Sequence, residues 1–200
     1  MHSEAERMST VLSRIALKAK ENPKIRFTSL AHLLTAEFLK ETWKQMNQRA
    51  ASGIDGETME EFGVDLDQRV EGLVERLKAG NYKAPLIRRV EIPKGNGKTR
   101  PLGISTVEDR LVQRSVARIL GAVFDQDFLD LSYGYRPGRG PHGALKALRS
   151  QIVTKKVRFV YEADIRGCFT AINHQWLRKM VAERIVDRTI LCLIVTARPL

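Results

Sequence analysis

Hydrophobic residues recur at helical spacing over most of the chain, and this pattern predicts a succession of amphipathic helices. The first spans 3–20 and ends before Asn22-Pro23. A second runs from Thr35 to Ala50, with Thr35 as the expected N-cap. Further helices are predicted over 58–80, where Thr58 and Glu61 form a capping box, and over 106–123, 141–153 and 175–185, before a last apolar stretch at 190–195.

Two stretches depart from the helical period and predict β-structure. Residues 86–92 alternate apolar and polar positions, 93–100 form a glycine-rich basic turn, and Leu102 and Ile104 follow it, which is typical of a β-hairpin. Residues 157–161 are rich in β-branched and aromatic side chains and predict a buried strand. The sequence therefore indicates a mixed fold of helices, one hairpin and one further strand.

Asp164 follows that predicted strand and is the first candidate for chemistry. Burying a carboxylate at the end of a core strand costs free energy unless a partner compensates it, and a divalent cation is the usual partner. Combined with a basic surplus in the chain, this indicates half of a phosphoryl- or nucleotidyl-transfer site. The alternative is that Asp164 only caps the helix that follows.

The positive charge of the chain is confined to one part of it. The formal net charge is +11, yet residues 1–86 carry 13 basic and 13 acidic side chains, so the whole surplus lies in 87–200. A neutral region followed by a basic one indicates a polyanionic partner, most simply nucleic acid, although a basic face can also serve solubility alone. Within this part, Arg110, Arg114 and Arg118 form a stripe expected to face solvent.

An aromatic and arginine-rich cluster lies at 124–141, interrupted by glycine and proline. Its arginines, Arg136 and Arg139, and its tyrosines are of the kind that grip phosphates and stack on bases. The alternative is a set of turns packed on the core.

Composition excludes several classes of protein. At 43% hydrophobic and 28% charged residues the chain is typical of globular proteins, and no apolar run approaches the roughly 20 residues that cross a membrane. The N-terminus lacks the pattern of a signal peptide. Cys168 and Cys192 share no metal-ligand spacing with each other or with a histidine. We therefore expect a cytoplasmic protein with no zinc site, no disulfide and no membrane contact.

Six segments in register resemble the reverse transcriptases encoded by bacterial group II introns. They are NPKIRFTSLAHLL, GIDG, IPKGNGKTRPLGI, EDRLVQRSVARIL, FLDLSYGYRPGRG and YEADIRGCFTAINH, within residues 22 to 195. The resemblance implies an α+β fold of reverse-transcriptase-like fingers and an incomplete palm, with a β-hairpin and a catalytic-type palm strand. It implies an N-terminal helix at 1–22, a fingers-like region at 23–105, and the remaining fingers with the incomplete palm at 106–200.

The resemblance also implies roles for particular residues. Asp164 and the backbone carbonyl of Ile165 would bind catalytic Mg²⁺, and Phe169 would lie under the incoming sugar. Lys94, Lys98 and Arg100 would hold the triphosphate of an incoming deoxynucleotide. RNA, as template or intron, would contact Gly53, Ile54 and Gly56 of the GIDG loop, together with Arg136 and Arg139.

The chain departs from the family pattern at several positions. Thr170 and Asn173 stand where the family usually has aspartate, and the 200 residues contain no Asp-Asp pair for the Tyr-Ala-Asp-Asp turn. We expect a truncated member or a fragment that is inactive alone and that self-associates through the unpaired edge of its palm strand. The alternatives are a non-catalytic, maturase-like protein that binds intron RNA and a two-metal nuclease that uses Glu162 beside Asp164.

Overall fold

The fold is a helical body with one projecting hairpin. A computed structural model describes residues 4–95, 97–155 and 157–196, with side chains from Thr10 onward except those at 169, 170, 195 and 196. Its elements, in chain order, are α1 (Glu4–Glu21), a 3-10 turn (Ala31–Leu33), α2 (Ala36–Lys44), α3 (Met59–Val64), α4 (Leu66–Lys78), β1 (Arg88–Lys94), β2 (Lys98–Ile104), α5 (Val107–Phe124), α6 (Pro141–Thr154), α7 (Cys168–Ala171), α8 (His174–Ala182) and α9 (Arg188–Thr196). None of the helices in these ranges is long and apolar enough to cross a membrane.

The hydrophobic core forms around α5. This helix packs against α1 and α2, and α2 packs in turn against α4. The largest fully buried side chains come from α2, α3, α4, α5, α9 and the stretch before α9, and they include Phe38, Phe62, Leu73, Leu111, Ile119, Ile185 and Ile190. Burial of this apolar surface supplies most of the free energy that holds the helices together.

Three helices begin at the residues that the sequence predicts. Thr35, Thr58 and Thr106 each accept a hydrogen bond from the backbone N–H three positions further on. The carboxylate of Glu61 accepts the Thr58 N–H in return at 2.8 Å, which completes the predicted capping box. These three predictions are confirmed because a cap depends only on residues close in sequence.

Two helical boundaries differ from prediction. Helix α2 ends at Lys44 rather than Ala50, because the Gln48 side chain donates hydrogen bonds to the carbonyls of Trp43 at 3.0 Å and Met46 at 3.2 Å. The predicted helix over 58–80 is divided at Asp65, whose φ of −113° and ψ of 37° lie outside the helical region. The two residues before this break, Gly63 and Val64, are poor helix formers.

The predicted buried strand at 157–161 is wrong for this structure. Residues 157–165 have no strand assignment, and Phe159 and Tyr161 are 90% and 92% exposed. A strand exists only where another strand accepts its backbone hydrogen bonds, and the named strands of the described residues, β1 and β2, bond to each other. The β-propensity of this segment was real, but propensity cannot supply a partner.

Backbone pairing joins the segment that follows α1 to the segment that precedes α9. Phe27 forms a parallel bridge with Ile185, in which the Phe27 N–H donates to the Arg184 carbonyl at 2.7 Å and the Val186 N–H donates to the Phe27 carbonyl at 2.9 Å. The Arg184 guanidinium donates to the carbonyls of Pro23 and of Ala19. Residues near 185 therefore hold the segment that follows α1 in place.

Candidate nucleic-acid interface

The charged side chains of the hairpin lie on its two opposite faces. Strand β1 pairs antiparallel with β2 in a register that sets Lys94 opposite Lys98 and Ile92 opposite Arg100. Directly opposed residues project from the same face of a sheet, and alternate residues of one strand share a face. Lys94, Lys98 and Arg100 therefore lie on one face, and all three are exposed. The structure thus places the three predicted triphosphate ligands together.

A fourth cation, Arg88, lies on the same face, opposite Ile104 at the base of the hairpin. Its Nε is buried and makes no hydrogen bond to any described residue. On the other face, Arg89 pairs with Glu91 at 2.9 Å. The face that carries Lys94, Lys98 and Arg100 thus has four basic residues and no carboxylate. We call it the cationic face. The sequence reasoning missed Arg88, although the two-residue period of the strand would have shown it.

The GIDG loop packs against the start of α5. A Cβ at Gly53 would lie 2.6 Å from Thr106 Cα and 2.7 Å from Thr106 N, so only glycine fits there. Gly56 adopts a φ of 76°, and its N–H donates to the Gly53 carbonyl at 3.4 Å, which closes a turn. Ile54, at the tip of that turn, is 52% exposed. The three predicted loop residues therefore lie beside the junction of hairpin and helix.

The arginine stripe of α5 is not the uniformly solvated face that its spacing suggested. Burial lowers the pKa of the Arg110 guanidinium, against the opposing effect of the Asp55 charge, and its Nε and Nη2 find no partner among the described residues. The Arg118 guanidinium donates to Glu41 Oε1 at 2.6 Å and to Thr42 Oγ1 at 2.7 Å. Of the stripe, only Arg114 is exposed, so the prediction holds for that residue alone.

Arg136 organises the loop that follows α5. Its Nε donates to Asp125 Oδ1 at 2.7 Å, and its Nη1 donates to the carbonyls of Leu129 at 2.9 Å and Ser132 at 3.0 Å. The guanidinium also stacks over the Phe128 ring, 5.2 Å from its centroid. The Arg136 side chain is only 6% exposed. In this structure its donors face the protein rather than solvent.

Arg139 is held more loosely in the same loop. Its Nη2 donates to Asp130 Oδ1 at 3.1 Å, and its guanidinium lies 5.6 Å from the centroid of the Tyr133 ring. The Asp130 side chain is 98% exposed, so this ion pair is weakly held and open to exchange with a phosphate.

Asp164 is exposed in the segment before α7, which has no assigned secondary structure. The neighbouring Ile165 carbonyl accepts the Cys168 N–H at 3.3 Å. No group of three or more His, Cys, Asp or Glu residues in the described part of the chain is placed to hold a metal ion. Mg²⁺ prefers six oxygen ligands in near-octahedral geometry, so one carboxylate and one carbonyl do not make a site for it. Phe169 belongs to α7, and its side chain is not among those that the structure describes.

Comparison with known proteins decides the family. Residues 92–197, which include β2, α5 and the segment around Asp164, match the family "Reverse transcriptase (RNA-dependent DNA polymerase)". The chain belongs to the reverse transcriptase family. The α+β class is thereby supported, with helices and a two-stranded antiparallel hairpin in the described residues. Reverse transcriptases bind RNA and generally use Mg²⁺.

Several known proteins resemble the chain, and one of them is named as a group II intron-encoded protein. Protein YkfC of Escherichia coli (strain K12) is 33% identical over 194 residues, which are 94% of this chain and 51% of that protein. Group II intron-encoded protein LtrA of Lactococcus lactis subsp. cremoris is 34% identical over 182 residues, 88% of this chain and 30% of that protein. An uncharacterized 91 kDa protein in the cob intron of Schizosaccharomyces pombe is 30% identical over 142 residues. The chain thus spans 51%, 30% and 17% of the lengths of these three relatives.

Proposed function

We propose that this chain acts in an RNA-directed DNA polymerase of the group II intron type, which copies RNA into DNA from deoxynucleoside triphosphates. The observation that carries the proposal is the cationic face, where Lys94, Lys98 and Arg100 project together without a carboxylate. A triphosphate needs several cations at once, and charge-assisted hydrogen bonds to phosphate are the strong kind. Lys94, Lys98 and Arg100 are exposed, so this end of the cationic face is open to a nucleotide.

In this proposal Asp164 and the Ile165 carbonyl contribute ligands to the catalytic Mg²⁺, and Phe169 contacts the incoming sugar. The exposure of Asp164 leaves its carboxylate accessible to an ion. Mg²⁺ in such sites stabilises the charge that develops on the transferred phosphoryl group. Among the described residues no further carboxylates are grouped with Asp164 into a metal site, so no catalytic step is assigned to Asp164 alone.

RNA is proposed to lie along the GIDG loop and the loop after α5. Gly53 is proposed to act by holding the turn against Thr106, and Ile54 and Gly56 are exposed and open to a nucleic-acid backbone. Arg139 is proposed to exchange its exposed partner for a phosphate. Arg136 is proposed to act on RNA through the loop that it shapes, because its own donors are occupied.

A second candidate function is binding of intron RNA without polymerase chemistry, as a maturase-like protein. The observation that favours it is the surplus of positive charge in 87–200 together with the lack of a metal-binding group among the described residues. Self-association is proposed for either function, since the segment at 157–165, which is rich in strand-forming residues, exposes Phe159, Val160 and Tyr161. Such a segment is a template for strand pairing.

The test is binding of a fluorescent dGTP analogue by this chain and by hairpin variants. Arg100→Gln and Lys94→Gln should each weaken binding by about tenfold, the equivalent of one charged hydrogen bond. Arg89→Gln removes the same charge from the opposite face and should bind as wild type does. Equal losses in all three variants, or wild-type binding no tighter for dGTP than for deoxyguanosine, would refute the assignment. Salt-dependent RNA binding without nucleotide binding would favour the maturase-like function.

A further inference from the structure

The helical body contains a groove to which no residue of the hairpin contributes. It lies between α1, α2 and α5, and the loop at 135–137 forms one end of it. Its volume is about 640 Å³, within the range of about 300–1,000 Å³ typical of ligand sites. Its walls mix small apolar residues of α1 and α5 with polar side chains such as Gln45 and Gln126. None of the residues proposed above for nucleotide or metal contributes to it.

Four charged residues line this groove, and Arg114 is the one of them that could bind a ligand. Glu41 is paired with Arg118 at 2.6 Å, and both side chains are mostly buried. Asp125 is paired with Arg136 at 2.7 Å. Arg114 also lines the groove, is exposed, and has no ion pair among the described residues. With both carboxylates neutralised, Arg114 gives the groove a net positive charge, which suits a phosphate group.

Tyr135 lies at the end of the same groove and is 97% exposed. Its φ of 57° makes it the one non-glycine residue with a left-handed backbone in the described chain. That conformation costs about 1–2 kcal/mol and persists only where surrounding contacts impose it. The neighbouring Arg136 guanidinium ties the same loop to Asp125, Leu129 and Ser132. An exposed aromatic ring on a loop fixed at such a cost is typical of a binding platform.

We propose that this groove binds a single strand of RNA, with one base stacked on Tyr135 and a nearby phosphate on Arg114. The inference rests on the proposed function, because it adds a second RNA contact to a chain already proposed to bind RNA. An aromatic ring beside a cation is the combination by which proteins hold single strands without reading their sequence. The strand in the groove is therefore unpaired, and its binding has little dependence on base identity.

The experiment measures binding of a labelled single-stranded RNA of about 12 nucleotides, within the usual range of site sizes. Tyr135→Gly removes the ring and also relieves the left-handed strain, so the variant should melt no lower than wild type. Its affinity should fall by about 5- to 150-fold, the range expected for loss of one stacked base. Tyr135→Phe keeps the ring and should retain wild-type affinity.

The charge contact is tested by Arg114→Gln, which should reduce the log–log salt slope by about 0.7, the value for one phosphate of a single strand. Arg149→Gln is the matched control, since Arg149 is an exposed helical arginine of α6 that does not line the groove. Arg114→Gln has to weaken binding more than Arg149→Gln does. An equal loss in the two variants overturns the inference.

Two further outcomes separate this inference from the proposed function. If wild type shows salt-dependent RNA binding that Tyr135→Gly leaves unchanged, or if Tyr135→Phe binds as weakly as Tyr135→Gly, only the groove is wrong. If wild type binds no RNA, both proposals fail. Photo-cross-linking of wild type to RNA that contains 4-thiouridine needs no variant, and it should label the peptide with Tyr135. Labelling that excludes this peptide contradicts the inference.

Discussion

Asp187 Oδ2 accepts the backbone N–H of Leu30 at 2.6 Å, although the two residues are 157 positions apart. The same oxygen accepts the Ala31 N–H at 2.8 Å, while Oδ1 accepts those of Thr189 at 2.9 Å and Ile190 at 3.2 Å. One carboxylate thereby caps the 3-10 turn at 31–33 and the start of α9. Burial raises the pKa of Asp187, but the four N–H donors outweigh this, and the net shift is downward.

Asp187→Asn should destabilise the fold by about 3 kcal/mol at neutral pH, because an amide NH₂ then faces backbone donors that need an acceptor. The loss should depend on pH. A carboxylate with a lowered folded pKa contributes its full stability above the unfolded value of about 3.9, and that contribution disappears as pH falls through the folded pKa. Urea unfolding of both proteins at neutral pH and below pH 4 should show the difference narrowing in acid.

The control for that variant is Asp65→Asn. Asp65 also precedes a helix, α4, but its side chain makes no capping hydrogen bond. Loss of its charge should cost less than about 1 kcal/mol, the usual size of a helix-dipole effect. A loss as large as that of Asp187→Asn would mean that charge near a helix end, rather than the double cap, explains the result.

Arg118 and Arg114 lie one helical turn apart on α5, and their substitution should change stability by very different amounts. Arg118→Gln breaks the hydrogen bonds to Glu41 and Thr42 and the stacking of the guanidinium 4.7 Å from the Phe38 ring centroid. It should cost about 2–3 kcal/mol, since Glu41 is left mostly buried without its partner. Arg114→Gln should change stability by less than about 0.5 kcal/mol. Chemical denaturation measures both, and similar losses would contradict the structural role of Arg118.

Tyr82 donates its hydroxyl proton to Asp109 Oδ1 at 2.8 Å in the core. Burial first, and then the charge of Asp109, raise the pKa of Tyr82. A raised pKa means that stability is complete below the unfolded value of about 10 and falls as pH rises above it. Absorbance titration should therefore show one tyrosine that ionises only with unfolding, and Tyr82→Phe should abolish that step. The variant should lose about 1–2 kcal/mol at neutral pH.

Gly53→Ala should destabilise the chain by about 1–3 kcal/mol, because its Cβ would meet the backbone of Thr106, which cannot move aside as a side chain can. Gly72→Ala is the matched substitution, in the interior of α4, where an added Cβ has nothing within 4 Å. It should stabilise by up to about 1 kcal/mol. Melting temperatures should move in opposite directions, and a shared direction would show that the packing of Gly53 is not rigid.

The features of the fold that depend on residues close together in the chain could be predicted from the sequence. The threonine caps, the hairpin and the glycine-rich turn were found because each depends on residues within a few positions of one another. For the same reason the period of the strands places Lys94 and Arg100 on one face. These features needed no knowledge of the tertiary structure.

Features that depend on distant contacts could not be predicted in this way. Nothing in a stripe of arginines shows that Arg118 meets Glu41, 77 positions earlier, or that Asp187 meets Leu30. The strand prediction at 157–161 was wrong for a related reason, since strand formation depends on a partner strand that the segment does not contain. The groove beside Tyr135 brings together three helices and a loop, so it too was invisible in the sequence.

The bridge between Phe27 and Ile185 has a consequence for the order in which the protein folds during synthesis. At about 5–20 residues per second, the ribosome adds the 157 residues between Leu30 and Asp187 in roughly 8–30 s. Throughout that time the 3-10 turn lacks its cap, and Phe27 lacks the backbone that it pairs with. The segment after α1, although made first, therefore reaches its final state only when the region near residue 190 has emerged.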